Sequence, residues 1–194
     1  DDLQTVQIPG HKKIMLKADN ASKPAILKCP KKDQNEHKHL QVQRDATLIL
    51  EGLITLQGTD YGSNSQYALY VENRGTAEIK DGVTITGFKN GNIGPVVSDG
   101  ELTMSGGTIK ENTVVNDATV WSGGGGGGVY VGATGNFIMK GGTITQNEAS
   151  GYNTSNGGSG VYVKGQFTME GGTIEKNKTA YAGGGVLVGG GVFN

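Results

Sequence analysis

Hydrophobic and polar residues alternate in short blocks that recur along the chain. The clearest block covers residues 160–177 and reads GVYVKGQFTMEGGTIEKN, with apolar residues at every second position of its short segments. Alternation with a period of two predicts β-strands, because successive side chains of a strand point to opposite faces. The apolar residues do not follow the spacing of a helix, so the pattern predicts an all-β chain.

This block is repeated. Copies of decreasing similarity lie at 128–147, 96–112, 69–85 and 47–56, and a further copy begins at residue 185. The last apolar residues of successive blocks are separated by 24 residues (109 − 85) to 35 residues (144 − 109). Blocks of constant pattern joined by spacers of variable length are typical of a solenoid, in which each copy forms one turn and the spacers form surface loops.

Each block holds three short strands separated by glycine-bearing corners. This arrangement predicts a parallel β-helix with three strands in each turn, here called a rung. We expect a single domain over residues 1–194, with an N-terminal capping region at 1–45 and repeat rungs at 46–194. Residues 191–194 fall inside a predicted strand, so we expect a fragment of a longer protein. An uncapped last rung would allow end-to-end self-association.

Composition and charge exclude several classes of protein. Glycine makes up 35 of 194 residues, about 18% against a usual level of roughly 7%, but without the three-residue period of collagen. The net charge of 17 − 18 = −1 gives no electrostatic basis for binding nucleic acid. No apolar run approaches the roughly 18 residues of a membrane span. The single cysteine, Cys29, excludes an internal disulfide framework.

Two short motifs carry a resemblance to a known family. The sequence GGGV occurs at 126–129 and 183–186, and Ile-x-x-Asn occurs at 109–112, 144–147 and 174–177. Together they resemble the GGA[ILV] and FxxN repeats of chlamydial polymorphic outer-membrane proteins and of related bacterial surface proteins. The resemblance implies a right-handed, pectin-lyase-like β-helix. It also implies a secreted protein of a bacterial cell surface or outer membrane, often an adhesin that contributes to virulence.

Two series of residues hold equivalent positions in successive blocks and predict stacking inside the coil. The first series is Met104, Met139 and Met169. We expect these side chains to fill the core, with a path for soft metal ions as the alternative. The second series is Asn112, Asn147 and Asn177. Their amides are expected to form a hydrogen-bonded ladder at a left-handed corner. Phe88 takes the equivalent place in an earlier block, which predicts an irregular corner there.

Six aromatic residues are candidates for contact with a ligand. Three alternate with inward valines and are expected on the outer face of one sheet: Tyr70, Tyr130 and Tyr162. Three lie in the variable inserts 60–67, 113–125 and 148–158: Tyr61, Trp121 and Tyr152. Outward rings can stack on sugars or on a partner chain, whereas the alternative is that they cover the sheet beneath a loop. Trp121 is the only tryptophan and the strongest single candidate.

The sequence offers few candidates for catalytic or metal-binding residues. A hydrolase of this fold needs clustered carboxylates, and a lyase needs calcium-binding carboxylates with a basic residue. The carboxylates are scattered along the sequence, so no catalytic residue is assigned. His37 and His39, with Cys29 and Glu36, could form a metal site. The polar segment 30–35 between them favours an exposed loop instead, so neither a metal nor a cofactor is expected.

The sequence therefore predicts a non-enzymatic extracellular protein, an adhesin or rigid stalk. It would bind an unidentified host or microbial glycan or protein through loops on a β-helix. A polysaccharide lyase or hydrolase of the pectin-lyase-like fold is the alternative, and a spacer without any ligand is a third possibility. A fold alone does not choose among these functions.

Overall fold

The computed structural model describes residues 5–18, 22–29, 37–59, 66–116, 125–151, 157–180 and 182–194. Every regular element in these residues is a β-strand. The strands follow one another around a coil, and each pairs in parallel with the strands one turn before and after it. The chain is a parallel β-helix, as the period-two pattern predicts.

Successive rungs contribute successive groups of strands. The first two rungs comprise β1 (Val6–Ile8), β2 (Lys13–Lys17), β3 (Ala25–Lys28), then β4 (His37–Val42), β5 (Thr47–Glu51) and β6 (Ile54–Gln57). The third and fourth comprise β7 (Gln66–Val71), β8 (Thr76–Ile79), β9 (Thr84–Thr86), β10 (Lys89–Asn90), then β11 (Val96–Ser98), β12 (Glu101–Met104), β13 (Thr108–Lys110) and β14 (Thr113–Asn116).

The remaining rungs follow the same order. The fifth and sixth comprise β15 (Val129–Val131), β16 (Asn136–Met139), β17 (Thr143–Thr145), β18 (Glu148–Gly151), then β19 (Val161–Val163), β20 (Gln166–Met169), β21 (Thr173–Glu175) and β22 (Lys178–Thr179). The seventh comprises β23 (Val186–Val188) and β24 (Val192–Phe193).

The strands form four parallel sheets that run along the coil. Sheet 1 has the order β1-β4-β7-β11-β15-β19-β23, and sheet 2 has the order β2-β5-β8-β12-β16-β20-β24. Sheet 3 has the order β3-β6-β9-β13-β17-β21, and sheet 4 has the order β10-β14-β18-β22. Strands in one sheet lie roughly 4.8 Å apart, so equivalent residues of successive copies lie one above the other.

Two features differ from the sequence prediction. A fourth strand follows the third in rungs three to six, because the residues after Phe88 and after each ladder asparagine also pair between rungs. The inserts 113–125 and 148–158 therefore begin as strands β14 and β18 rather than as loops. The described part of the predicted capping region 1–45 also contributes strands, β1 to β4, that pair in register with the strands after them.

The core is a set of columns of apolar side chains inside the coil. One column of sheet 2 consists of Leu48, Ala77, Leu102, Phe137, Phe167 and Phe193. Within it, the ring of Phe167 stacks on those of Phe137 and Phe193, at 4.8 Å between centroids in each case. Each stacked pair adds about 1 kcal/mol to the free energy of burial.

The methionine series lies inside the coil, as predicted. Met104 and Met139 are fully buried and in register, and Met169 is in register with Met139 and packs against the core. Each strand that carries one of these methionines is followed by a corner at which a glycine has a positive φ. At Gly142, where φ is 84°, an added Cβ would lie 2.6 Å from Met104 Cε. Glycine is needed here both for the backbone conformation and for the room that the methionine occupies.

Candidate functional site

The outer face of sheet 1 carries the predicted tyrosine column. The parallel register aligns the following residues: Gln41, Tyr70, Val97, Tyr130, Tyr162 and Leu187. In β4, β7, β11, β15 and β19 they alternate with buried residues that face the core, all of them valines or leucines except Ser98. The three tyrosines therefore share one column of one sheet, as the sequence predicts, and Val97 interrupts it.

Tyr130 and Tyr162 stack on each other. Their rings are 5.7 Å apart at 8° between planes, and Lys164 Nζ lies 5.8 Å and 5.9 Å from the two centroids. Tyr130 is half-buried, but Tyr162 is only 4% exposed. Backbone covers the Tyr162 ring, since a Cβ added at Gly125 or Gly189 would collide with it. Tyr162 thus covers the sheet, and of this pair Tyr130 is the residue open to a ligand.

Tyr70 forms a second aromatic site on the same column. Its hydroxyl donates a hydrogen bond to Asp99 Oδ2 at 2.8 Å, and Lys38 Nζ lies 4.5 Å from its ring centroid. The Tyr67 ring packs edge-on against it, with the two ring centroids 5.8 Å apart. These contacts fix a half-buried ring beside a cation. The other three candidates, Tyr61, Trp121 and Tyr152, lie outside the described residues.

The asparagine ladder is present where the sequence places it. Asn112 Nδ2 donates to Asn147 Oδ1 at 2.9 Å, and Asn147 Nδ2 donates to Asn177 Oδ1 at 2.9 Å. Each Nδ2 also donates to the carbonyl oxygen of the isoleucine one rung earlier, and each Oδ1 of Asn147 and Asn177 accepts from the backbone N–H of the preceding asparagine. The predicted left-handed conformation, however, belongs to the residues just before the asparagines: Glu111 (φ 55°), Gln146 (φ 55°) and Lys176 (φ 54°).

The ladder occupies the corner between sheets 3 and 4, and this corner lies against the start of sheet 1. A Cβ added at Gly128, the residue before β15, would lie 3.1 Å from Asn147 Nδ2. The register equates Gly128 with Pro95, Ala68 and His39 in successively earlier rungs. Toward the N-terminus, the side chain at this position therefore changes from a hydrogen atom through a proline ring and a methyl group to an imidazole.

Phe88 stands in the ladder position of the third rung, but the predicted irregular corner is wrong, because Gly87 (φ 73°) takes the left-handed conformation of Glu111 and Lys89 pairs in register with Thr113. Its backbone N–H donates to Asn112 Oδ1 at 3.1 Å. The hydrogen bond from backbone to side-chain amide therefore continues into this rung, whereas the hydrogen bond between side-chain amides does not. The Phe88 ring is buried and packs edge-on against the His39 ring, with centroids 5.4 Å apart. Apolar and imidazole rings thus fill the space that the amides fill further along the coil.

Cys29 reaches the same corner from the first rung. It follows β3 directly and aligns with Gly58, Gly87 and Glu111 of the later rungs. Its Sγ lies 2.6 Å from His39 Nε2. His37 and His39 lie on one face of β4, with ring centroids 5.9 Å apart, while the intervening Lys38 points outward to Tyr70.

These three residues form what we call the Cys29–His37–His39 cluster. One ligand-capable atom from each lies within 4.8 Å of the other two. Cys29 is 3% exposed and His39 is 6% exposed, so the expectation of an exposed loop is wrong for both.

Burial sets the protonation state of the cluster. It raises the pKa of the Cys29 thiol to about 12. Burial, and secondarily the charge of His37, lowers the pKa of His39 to about 4. At neutral pH the cluster therefore holds a neutral thiol and a neutral imidazole. His39 Nδ1 is buried and has no hydrogen-bond partner among the described residues.

Charged residues elsewhere are paired on the surface. On the outer face of sheet 2, Glu51 lies between two lysines of neighbouring rungs, 2.8 Å from Lys17 Nζ and 3.4 Å from Lys80 Nζ. The hydrogen bond from Lys17 is the main cause of a lowered pKa of Glu51. Arg74 pairs with Asp45 at 2.7 Å in the same way across one rung step.

No family model, curated protein or solved structure matches the chain. The resemblance to chlamydial surface repeats therefore stays a prediction. Among the described residues, no helix is long and apolar enough to cross a lipid bilayer.

Proposed function

We propose that this protein is a non-enzymatic component of a bacterial cell surface, an adhesin or a rigid stalk. In this proposal the β-helix holds the outer face of sheet 1, and the loops beside it, toward a host or microbial glycan or protein. The stacked rungs supply the rigidity, because backbone hydrogen bonds and side-chain columns join every rung to the next.

The observation that carries the binding part of the proposal is the pairing of aromatic rings with lysines on sheet 1. Tyr70 lies beside Lys38, and Tyr130 lies beside Lys164, on one register column two rungs apart. Two rungs correspond to about 10 Å along the coil axis. Half-buried rings next to cations are a surface that suits an extended, anionic or polyhydroxylated ligand, such as a glycan chain.

An array of immobilised glycans and extracellular-matrix proteins tests this proposal. Tyr70→Ala and Tyr130→Ala should each lower binding about tenfold, since each removes one contact worth about 1.4 kcal/mol. Trp121→Ala examines the strongest candidate from the sequence. Ile138→Ala, on the outer face of sheet 2 in the same rung as Tyr130, is the matched control and should bind like the wild type.

The alternatives predict other results. Retained binding in both tyrosine variants would remove the outer face of sheet 1 from the proposal. Absence of binding to every ligand would leave only a stalk. Turnover of a uronic-acid polymer would contradict the non-enzymatic proposal and favour the lyase or hydrolase.

A further inference from the structure

We propose that the Cys29–His37–His39 cluster is a binding site for a transition-metal ion with affinity for sulfur and imidazole, with Zn²⁺ as the ion that its donors suit best. The proposal concerns the N-terminal end of the coil and does not depend on the proposed surface function.

The donor atoms are already close enough to share an ion. A tetrahedral Zn²⁺ has bonds of about 2.3 Å to sulfur and about 2.0 Å to nitrogen, which places its donor atoms roughly 3.5 Å apart. In the cluster, Sγ of Cys29 lies 2.6 Å from Nε2 of His39, and all three donors lie within 4.8 Å of one another. These separations bracket the required distance. Side-chain rotations that move the donor atoms by about 1 Å can therefore accommodate the ion without moving a strand.

The fold holds the three side chains in place. The Cys29 N–H donates to the Gln57 carbonyl oxygen at 2.9 Å and so fixes the end of the first rung on the second. His37 and His39 are two residues apart on β4, so the alternation of the strand points both to the same side. The site thus rests on β4 and on the residue that directly follows β3, which is hydrogen-bonded to the next rung, and such supports are more rigid than free loops.

The donor atoms of Cys29 and His39 already face each other in the buried corner. Nε2 of His39 is the ring nitrogen that faces Cys29 Sγ, whereas the ring nitrogen without a hydrogen-bond partner among the described residues is Nδ1. A bound Zn²⁺ supplies the positive charge that stabilises a thiolate at the buried position of Cys29. The thiol loses its proton to solvent, a sulfur–zinc bond forms, two imidazole lone pairs add two bonds, and a water from solvent takes the fourth position, with one proton released and no change of oxidation state.

The donor set selects the class of ion. The cluster offers one sulfur and two imidazole nitrogens, with no carboxylate among its members. Ca²⁺ and Mg²⁺ require oxygen ligands and are therefore disfavoured. Sulfur and imidazole suit Zn²⁺, Co²⁺ and copper ions. The buried Phe88 ring on one side of His39 excludes water and strengthens the interaction of the ion with its ligands.

A Zn²⁺ titration of the untagged 194-residue chain, purified with chelator and kept reduced, tests the proposal. We expect one equivalent to bind. Cys29→Ser and His39→Gln should each lower the affinity at least about 100-fold, beyond the 10–100-fold effect of an outer-shell change. His11→Asn is the matched control. It removes the remaining histidine at an exposed corner whose φ of 62° an asparagine accepts, and its affinity should equal that of the wild type.

Co²⁺ provides a readout that a packing role would not produce. Cobalt in the wild type should show thiolate-to-metal charge-transfer absorption, and Cys29→Ser should lack it. If a variant of a buried residue fails to fold, the half-buried His37→Gln, checked by circular dichroism, provides the comparison. Competition between Zn²⁺ and Cu⁺ then assigns the preferred ion, and either order supports the site.

Three results would overturn the proposal. The first is a wild type that binds no Zn²⁺ at micromolar concentration. The second is equal affinity in Cys29→Ser and in the wild type, which would place the metal elsewhere. The third is displacement of Co²⁺ by Ca²⁺, which would show oxygen ligation.

Discussion

One corner of the coil is built in two different ways along its length. In the C-terminal rungs, Asn112, Asn147 and Asn177 stack their amides, and the last two lie against glycines at the start of sheet 1. In the N-terminal rungs, the register places His39 and Ala68 where those glycines stand. There the corner holds rings and a thiol instead of amides. The comparison teaches that the backbone register of a solenoid is retained when the side chains at one position change their chemistry completely.

The two forms of this corner also differ in how much each residue depends on the equivalent residue of the neighbouring rung. Asn112 and Asn147 each donate from Nδ2 to the asparagine of the next rung in addition to a backbone carbonyl, so part of their hydrogen bonding needs the same residue in the next rung. The Cys29–His37–His39 cluster is made of single residues with no counterpart in later rungs. Substitutions in the ladder should therefore act across three rungs, and substitutions in the cluster should act locally.

The largest expected effect is at the centre of the ladder. Asn147→Asp removes the donor to Asn177 Oδ1 and to the Ile109 carbonyl and buries a charge, so the free energy of unfolding should fall by about 4 kcal/mol or more. Asn147→Ala should cost about 3 kcal/mol. Urea unfolding followed by circular dichroism measures both. The half-buried Asn136 of β16, outside the ladder, serves as control, and an equal loss in Asn136→Ala would contradict a special role of the ladder.

One substitution would extend the asparagine ladder by one rung toward the N-terminus. Phe88→Asn would place a fourth amide beside Asn112, whose Oδ1 already accepts from the backbone at position 88. Loss of the buried ring should cost about 3–5 kcal/mol and the new hydrogen bond return about 1 kcal/mol, for a net loss of about 3 kcal/mol.

Phe88→Leu is the matched variant, since it keeps an apolar side chain and should cost about 1 kcal/mol. Equilibrium denaturation compares the two. A Phe88→Asn protein more stable than the wild type would show that the ladder is better than the aromatic corner even beside His39.

Substitution of the glycine that precedes a sheet 1 strand should have a smaller effect on stability and tests the packing of the ladder directly. A Cβ at Gly160 would lie 2.8 Å from Ile174 Cγ2 and 3.1 Å from Asn177 Nδ2, so Gly160→Ala should destabilise by about 2 kcal/mol. The equivalent residue in the third rung is already alanine, Ala68, and its change to glycine should cost about 1 kcal/mol. Thermal unfolding of the two variants measures the difference. Equal tolerance of alanine at both positions would mean that the ladder does not need the space.

The smallest effect concerns the outer ion pairs of the N-terminal rungs. Lys17 and Lys80 hold the pKa of Glu51 below its ordinary 4.5, so the folded chain favours the charged carboxylate. The stabilisation is present above that ordinary value and is lost as pH falls through the lowered folded pKa. Glu51→Gln should therefore unfold slightly more easily than the wild type at pH 7. The difference should vanish in acid and shrink with added salt. A difference that persists at pH 2 would assign the effect to packing.

Much of the fold follows from the sequence, because period two and the recurrence of whole blocks constrain each side chain to one face. The positions of Met104 and Met139 and the bonds of Asn147 are determined in this way. The fourth sheet was missed because β14 and β18 are short and continue into variable inserts without a repeated apolar pattern. The coverage of Tyr162 agrees with the alternative that these rings cover the sheet, but the sequence does not show which of the three tyrosines is covered. That depends on where the backbone of Gly125 and Gly189 passes, and glycine carries no side-chain pattern.

The candidate metal site shows the limit of local sequence reasoning. Cys29 and His39 belong to different rungs and are joined by a polar segment, so their surroundings in the sequence favour a surface loop. Only the register, which aligns the residue after β3 with Gly58 and places His39 against Phe88, brings them into the interior. A thiol and an imidazole become partners here through the topology of the coil.

Because the stacked rungs are evenly spaced, the number of copies determines the length of the coil. Adding or deleting one whole copy changes its reach by about 4.8 Å and reproduces the same interfaces on either side of the joint. Adding an odd number of residues within a strand would instead turn its inward side chains to solvent. The distance that such a protein spans can therefore be altered only in steps of one copy.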